Sequence, residues 1–184
     1  AVQVKKISQS TQLSNPQELK SAWIETPLGL MVAIANDKEL YFLEFVERDR
    51  LEEKIEKFSR NAKAKIIPGN THILKLVESE LKEYFCGKLK TFNTPLHLTG
   101  SSFQKSAWNE LLKTPYGKTR SYAEQAVALG KPVAFRAVAN ANGANNIAII
   151  IPCHRIISHD GKLGGYSSGI AKKKWLLELE RKAV

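Results

Sequence analysis

The sequence predicts an α+β protein with two lobes, the first built on a small antiparallel sheet and the second helical with one short apolar strand. The composition is globular, since 43% of the 184 residues are hydrophobic and 25% are charged. A chain of this length has room for one large domain or two small ones. Apolar runs of strand length come early in the chain, whereas helical spacing of apolar residues dominates the second half.

The first lobe contains two predicted strands and two predicted helices. Apolar runs at 30–35 and 40–46 flank the turn residues Asn36 and Asp37 and predict the strands. The first twenty residues are polar without a period, and we expect an irregular lead-in there. Two helices are predicted from apolar residues at helical spacing, which are Leu51, Ile55 and Phe58 in the first and Ile73, Leu76, Val77, Leu81 and Tyr84 in the second, over about 71–85.

A break in periodicity over residues 93–101 marks the predicted domain boundary. We therefore assign residues 1–93 to the first lobe, 94–101 to a linker and 102–184 to the second lobe. This division places a candidate helix-turn-helix and the sequence PCHR in the second lobe.

The helix-turn-helix candidate follows a predicted helix over about 102–113. Ser121 and Glu124 have the spacing of a capping box and begin a helix that ends at Gly130, and Pro132 suits the first turn of the next helix. Small side chains on that next helix allow a close approach to DNA, but they allow close packing on protein equally well. The pattern alone leaves both interpretations open.

An apolar run at 147–151 predicts a buried strand that leads towards Cys153 and continues at 156–157. Residues 158–162 predict a tight turn. A last helix over about 170–181 is predicted to bury Trp175, Leu176 and Leu179.

The net charge of +10 is concentrated in the second half of the chain. Residues 1–92 carry 15 basic and 13 acidic side chains, and residues 93–184 carry 13 basic and 5 acidic, so the two halves have charges of +2 and +8. A segregated excess favours a polyanionic partner, with nucleic acid first and acidic lipid second. A solvated lysine-rich surface is the alternative interpretation.

Several other classes of function have no support in the sequence. No apolar run reaches the length of a membrane span, and the first residues lack the apolar core of a signal peptide. The phosphate-binding patterns GxxxxGKS/T and GxGxxG are absent, and the cysteines and histidines lack zinc spacing, so we expect no metal and no cofactor. Two cysteines do not make a disulfide framework and favour a reduced intracellular setting.

Cys153 is the candidate reactive residue. It follows Pro152 and precedes His154 and Arg155, whose positive charges favour the thiolate form. The alternative is a small, inert core residue, because buried cysteines are common and adjacent strand residues face opposite ways. Cys86 stands at a predicted helix end and is expected only to pack.

The string IIIPCHRII, followed by GYSSG and KKKWLLELE, resembles the O6-alkylguanine-DNA alkyltransferases, also called methylated-DNA–protein-cysteine methyltransferases. The resemblance extends upstream through FQKSAWNELLKTPYGKTRSYAEQAVALGKPVAFRAVANANGANN and so covers about residues 103–182. The segment EYFCGKLKTFNTPL is similar to the end of the family's first domain. The sequence is most similar to bacterial members, including the C-terminal part of the adaptive-response regulator. The resemblance implies an RNase H-like first lobe and a winged-helix-like second lobe.

The resemblance also implies a reaction and roles for four catalytic residues. Cys153 accepts the alkyl group from O6-alkylguanine, and the resemblance leaves open whether O4-alkylthymine is a second substrate. His154 takes the thiol proton through a water, and Glu180 orients and charges that imidazole. Tyr122 donates to N3 of the leaving guanine. Each molecule would react once, without a cofactor, as a monomer acting on double-stranded DNA in the cytoplasm, at the nucleoid of a bacterium or in a eukaryotic nucleus.

Further residues are implied in binding the substrate and the duplex. Ser167 lies where the family hydrogen-bonds O6, Tyr166 is its neighbour in the same loop, the carbonyls of Cys153 and Ile156 receive the exocyclic amine, and Asn145 is the hinge residue before the active-site strand. The implied DNA-binding residues are Arg136 as the intercalating finger, Tyr122, Ala134, Ala137, Asn142 and Lys131.

Three alternatives remain open on the residues alone. A non-catalytic lesion-binding relative would lack the acceptor cysteine, which this chain has at Cys153. A cysteine hydrolase using Cys153 and His154 would need an oxyanion hole that the sequence does not identify. A helix-turn-helix regulator would explain the charge but leave PCHR, GYSSG and Glu180 without a role.

Overall fold

The computed structural model describes residues 16–183, which form two compact units. The first unit runs to residue 82 and takes in 93–99, and the second comprises 83–92 and everything from residue 100 onwards. The segment 83–92 therefore groups with the second unit, on the other side of the division proposed from the sequence. Its aromatic residues explain this, because Tyr84 contacts Tyr116 and Phe85 contacts Trp175. The linker at 94–101 stays a prediction.

The described chain contains six strands and six α-helices, with one short 3-10 helix at Cys153–Arg155. The strands are β1 (Gln17–Thr26), β2 (Gly29–Ala35), β3 (Leu40–Phe45), β4 (Ala64–Pro68), β5 (Arg120–Ser121) and β6 (Ile156–Ile157). The helices are α1 (Leu51–Ala62), α2 (His72–Phe85), α3 (Ser102–Leu112), α4 (Tyr122–Ala128), α5 (Phe135–Gly143) and α6 (Ile170–Lys182). None of the helices in this part of the chain is long and apolar enough to cross a membrane.

The first unit is a four-stranded sheet with the strand order β3-β2-β1-β4. The β1–β2 and β2–β3 pairs are antiparallel, and β1 pairs with β4 in parallel. The two predicted strands and two predicted helices are confirmed, but β1 and β4 were not predicted. Much of the expected irregular lead-in lies outside the described residues, and its end is wrong because residues 17–20 belong to β1. Leu19 is fully buried there in an otherwise polar stretch, so one apolar side chain was too little signal.

The core of the first unit joins the sheet to α1. Leu19, Ile34 and Phe42 from the strands pack in one cluster with Ile55 and Phe58 from the helix. Burying these side chains provides the main stabilising free energy, at roughly 25 cal/mol per Å² of apolar surface.

The helices of the second unit pack through both apolar and polar contacts. On α3, Trp108 and Leu111 are buried, and the Trp108 indole N–H donates to the carbonyl of Ala141 on α5 at 2.8 Å. The predicted capping box is confirmed, since Ser121 Oγ accepts from the Glu124 amide at 3.1 Å and the Glu124 carboxylate accepts from the Ser121 amide at 2.6 Å. It starts α4, and α5 follows after the turn at Gly130.

The predicted strand at 147–151 is wrong. This segment forms consecutive turns, with Ile149 at φ 69° and an Ile151 amide that donates to the Ile147 carbonyl at 3.1 Å. The run is apolar because it is buried, and a buried turn has the same hydrophobic pattern as a buried strand. A strand follows it at β6, which pairs in parallel with β5.

Candidate active site around Cys153

Cys153 begins the short 3-10 helix directly after Pro152 and lines a cavity of about 510 Å³. The residue is 8% exposed, so its surroundings are mostly protein. The side-chain amide of Asn145 donates to the thiol Sγ at 3.4 Å. The thiol is thus oriented by a hydrogen bond and faces a space large enough for a ligand.

Asn145 organises the turns that deliver Cys153 to this cavity. Its Nδ2 donates to the carbonyls of Ile147 at 3.2 Å and Ile151 at 3.0 Å, and its Oδ1 accepts from the Ile147 amide at 2.9 Å. These bonds satisfy backbone groups that a strand would have paired in a sheet. The side chain therefore explains why this apolar segment turns instead of extending.

His154 and Glu180 form a buried pair behind the cysteine. His154 Nε2 lies 2.8 Å from Glu180 Oε1, and both side chains are fully buried. Burial lowers the pKa of His154 below 6.5, although the Glu180 carboxylate opposes this shift. The imidazole is therefore neutral at pH 7 and able to accept a proton.

The Glu180 carboxylate has four further hydrogen bonds. Arg155 donates from Nε to Oε2 and from Nη2 to Oε1, both at 2.9 Å, Tyr84 donates its hydroxyl to Oε1 at 2.7 Å, and the Gly117 amide donates to Oε2 at 3.1 Å. Burial alone would raise the pKa of Glu180, but the hydrogen bonds and charges of His154 and Arg155 lower it to about 2. The sequence prediction missed the roles of Tyr84, Arg155 and Gly117 here. Their sequence spacing gives no sign of this convergence.

The cavity has a mixed polar and apolar wall. Tyr122, Tyr166 and Ser167, all predicted site residues, lie on it together with Cys153. Burial first, and then the nearby Cys153 charge, raises the pKa of Tyr122, so its hydroxyl remains a hydrogen-bond donor. The remaining lining residues are Ala139, Asn140, Asn142, Gly143, Ser158, Gly164 and Gly165.

The backbone of Gly164 passes so close to the Tyr122 ring that the position favours glycine. Its φ is +67°, and a Cβ built there would lie 3.3 Å from the Tyr122 ring. A side chain would therefore strain the backbone and push against a cavity wall.

Lys173 contacts the segment that carries Gly165. The sequence prediction missed it, because it stands in a run of three lysines that is typical of a solvated helix face. It is fully buried, and its Nζ donates to the carbonyls of Ile156 at 2.5 Å and Gly165 at 3.2 Å. Burial lowers the pKa of Lys173 to about 8, against the opposing effect of the Cys153 charge. The Ile156 carbonyl, a predicted substrate acceptor, thus already accepts one hydrogen bond.

The predicted DNA-binding residues separate into exposed and buried groups. Arg136, Ala137 and Lys131 are exposed and Ala134 is partly exposed, all on α5 or the turn before it. Asn142 is only 4% exposed and lies on the wall of the cavity. Its side-chain amide forms a reciprocal pair with Gln125 on α4, with bonds of 2.7 and 3.2 Å. It therefore contributes to packing of the two helices, and its role in DNA binding stays a prediction.

Two domains of one family match this chain. The ribonuclease-like domain of 6-O-methylguanine DNA methyltransferase matches residues 19–98, and the DNA-binding domain of the same family matches residues 102–182. The chain belongs to the 6-O-methylguanine DNA methyltransferase family. The predicted family and the predicted α+β fold class are thereby confirmed.

Curated relatives and solved structures of this methyltransferase family cover most of the chain. The methylated-DNA–protein-cysteine methyltransferase of Methanosarcina barkeri is 44% identical over 162 residues, which are 85% of this chain and 94% of the relative. The Mycobacterium tuberculosis O6-methylguanine methyltransferase structure has a TM-score of 0.77 and 38% identity, covering 90% of this chain and 94% of its own. The M. tuberculosis OGT structure in complex with DNA has a TM-score of 0.76 at 38% identity, covering 91% and 94%.

Proposed function

We propose that this protein repairs duplex DNA by transferring the alkyl group from O6 of alkylguanine to Sγ of Cys153, once per molecule. One observation carries the proposal. The Cys153 thiol lies on the wall of a cavity, and the next residue, His154, is buried in a hydrogen bond with Glu180. The relatives named methylated-DNA–protein-cysteine methyltransferases support the same reaction.

The chemistry is a displacement at the alkyl carbon. The S–C bond forms as the bond from that carbon to O6 breaks, and the guanine leaves with the electron pair. The thiol proton passes to His154 through a water, and the Glu180 carboxylate stabilises the resulting imidazolium. Tyr122 donates to N3 of the departing base and offsets its negative charge.

The proposed substrate contacts follow from the cavity wall. Ser167 is suited to hydrogen-bond O6, with Tyr166 beside it, and the carbonyls of Cys153 and Ile156 are suited to receive the exocyclic amine. Asn145 orients the thiol. A thioether has no good leaving group, so the product is stable and the protein is consumed.

The duplex would contact the helix-turn-helix of α4 and α5. Arg136 lies on the exposed side of α5, where it can fill the space left in the stack when the guanine is flipped out. Phe135 is 47% exposed and nearby Val133 is 89% exposed. Exposed apolar side chains of this kind are suited to the apolar contacts that minor-groove binding proteins make with DNA. Lys131 adds positive charge, and Ala134 and Ala137 allow a close approach. A DNA substrate places the protein in the bacterial cytoplasm at the nucleoid, or in a eukaryotic nucleus.

The test is a single-turnover assay with a duplex that contains O6-methylguanine labelled in the methyl group. We expect a burst of label transfer whose amplitude equals the amount of protein, with the label on the Cys153 peptide. Cys153→Ala should abolish transfer, and Cys86→Ala, the matched control at an exposed cysteine, should retain the full burst. Repeated turnover would instead favour a hydrolase, and label transfer by the Cys153→Ala protein would overturn the assignment.

A further inference from the structure

Tyr84 is a buried tyrosine that directly contacts the proposed catalytic network. Its hydroxyl donates to Glu180 Oε1 at 2.7 Å, and the same oxygen lies 2.8 Å from His154 Nε2. We propose that Tyr84 is a positioning residue that fixes the Glu180 carboxylate and limits how strongly that carboxylate attracts a proton onto His154. This inference rests on the proposed alkyl transfer through Cys153, His154 and Glu180.

The surroundings of Tyr84 keep its hydroxyl at one place. The side chain is fully buried, and its ring contacts Phe85, Phe92 and Tyr116 with centroid distances of 5.5, 5.4 and 5.9 Å. A ring enclosed by three aromatic neighbours has little freedom to reorient. The hydroxyl therefore acts as a fixed donor to Oε1.

The hydroxyl stays protonated across the working pH range. Burial raises the pKa of Tyr84 well above 10, and the Glu180 charge raises it further. The hydrogen bond from the neutral Tyr84 hydroxyl stabilises part of the negative charge on Glu180 Oε1. Less of that charge then remains to stabilise a proton on His154.

Removing the Tyr84 hydroxyl should therefore shift the protonation equilibrium of His154 towards the protonated imidazolium. Without Tyr84 as a donor, Glu180 attracts the imidazole proton more strongly and the pKa of His154 rises. Neutral His154 is the form that accepts the thiol proton, so the rate falls as pH drops through the pKa of His154. The titratable and charged groups around this pair are Cys153, Arg155, Lys173, Tyr84 and Tyr116.

The experiment compares Tyr84→Phe with Tyr116→Phe in single-turnover methyl transfer from an O6-methylguanine duplex, measured across pH. Tyr116 is a matched control because its ring contacts Tyr84, whereas its hydroxyl has no hydrogen-bond partner among residues 16–183. We expect Tyr84→Phe to slow transfer at pH 7 by about three- to tenfold, because the carboxylate is less firmly oriented. The midpoint of the acidic limb should also move to higher pH. Tyr116→Phe should match the parent in both.

Two further measurements separate positioning from a general structural effect. In a Glu180→Gln background, Tyr84→Phe should cause no additional slowing, because both changes act through the same carboxylate. NMR titration of the His154 imidazole in the DNA-free protein should give a higher pKa in Tyr84→Phe than in the parent. If the parent transfers the methyl group, either of two results would overturn the inference. One is an unchanged pKa of His154 in Tyr84→Phe, and the other is additive rate losses in the double variant. A parent that transfers no methyl group would overturn the proposed function instead, and the NMR titration would still decide the role of Tyr84.

Discussion

Arg155 and Glu180 form a buried two-point ion pair, in which Nε and Nη2 of the guanidinium donate to separate carboxylate oxygens at 2.9 Å. The third guanidinium nitrogen, Nη1, donates to the carbonyl of Thr114 at 2.6 Å. Such a planar, two-point contact is specific to arginine. It fixes Glu180 as an anion beside His154, and it connects α6 to the 3-10 helix that carries Cys153.

We predict that this network makes the protein sensitive to acid. The pKa of Glu180 is lowered to about 2 from its ordinary 4.5, so its stabilising contribution is complete above pH 4.5 and is lost as pH falls towards 2. The shift corresponds to roughly 3 kcal/mol of unfolding free energy. The lowered pKa of His154 adds in the same direction, since stability is lost as pH falls below 6.5.

Chemical denaturation between pH 2 and pH 7 measures this effect. Glu180→Gln should be less stable than the parent at pH 7 and should lose much of the parent's dependence on pH below 4.5. Glu178→Gln is the matched control on the same helix. Its carboxylate is 43% exposed, and its contact with Lys174 Nζ is long, at 3.9 Å, so its loss should change stability little. A Glu180→Gln curve parallel to the parent curve would contradict the assignment.

Asn145→Ala should disturb both stability and the thiol. The substitution removes three bonds to the backbone of the turn at 147–151 and the contact with Cys153 Sγ. Leaving those buried backbone groups unpaired should cost about 2–4 kcal/mol. Thermal or denaturant unfolding measures the loss, and Asn109→Ala on the exposed side of α3 should change stability little. Equal stability of the two variants would show that the turn does not depend on Asn145.

The pair of Gln125 and Asn142 predicts a rescue. Asn142→Leu leaves the buried Gln125 side-chain oxygen without its donor, while Gln125 Nε2 still donates to the Ala107 carbonyl at 3.1 Å. The unmet oxygen should cost about 1–3 kcal/mol of unfolding free energy. Replacing both residues by leucine removes the unmet hydrogen bonds and should restore most of that loss. Denaturant titrations of the single and double variants test this, and a double variant as unstable as the sum of the singles would refute it.

Arg136→Ala should affect duplex repair selectively. The side chain matters only when a base stack has a gap to fill, so we expect a loss of about 10- to 100-fold on duplex substrate and little change with the free O6-methylguanine base. Single-turnover rates on both substrates measure the difference. Arg181→Ala, at an exposed arginine of α6, should behave like the parent. Equal losses on both substrates would assign Arg136 a structural role.

The sequence predicted the elements that have strong local signals. The capping box at Ser121 and the apolar faces of α1 and α2 were found because periodicity and cap chemistry are local properties. The strand β1 was missed because its first residues are polar apart from Leu19, and because its parallel pairing with β4 depends on residues distant in sequence. The turn at 147–151 was misassigned because hydrophobicity reports burial and not backbone conformation.

The site was predictable only in part, for a related reason. Cys153 and His154 are adjacent to positive charge in sequence, so their chemistry could be proposed from the residues. Glu180 was identified only through resemblance to a family, since 26 residues separate it from His154. Tyr84 lies 96 residues from Glu180, and nothing local to it indicates that its hydroxyl reaches this carboxylate.

The most direct test of the account is the pH dependence of single-turnover methyl transfer in the parent and in Glu180→Gln, with folding of the variant checked by circular dichroism. A thiol that depends on the His154–Glu180 pair should react about 10- to 100-fold more slowly at pH 7 once the carboxylate is neutral. The variant should recover part of this loss as pH rises and the thiolate forms without help. His154→Ala should behave in the same way. A folded Glu180→Gln protein that transfers the methyl group at the parental rate at pH 7 would contradict the account.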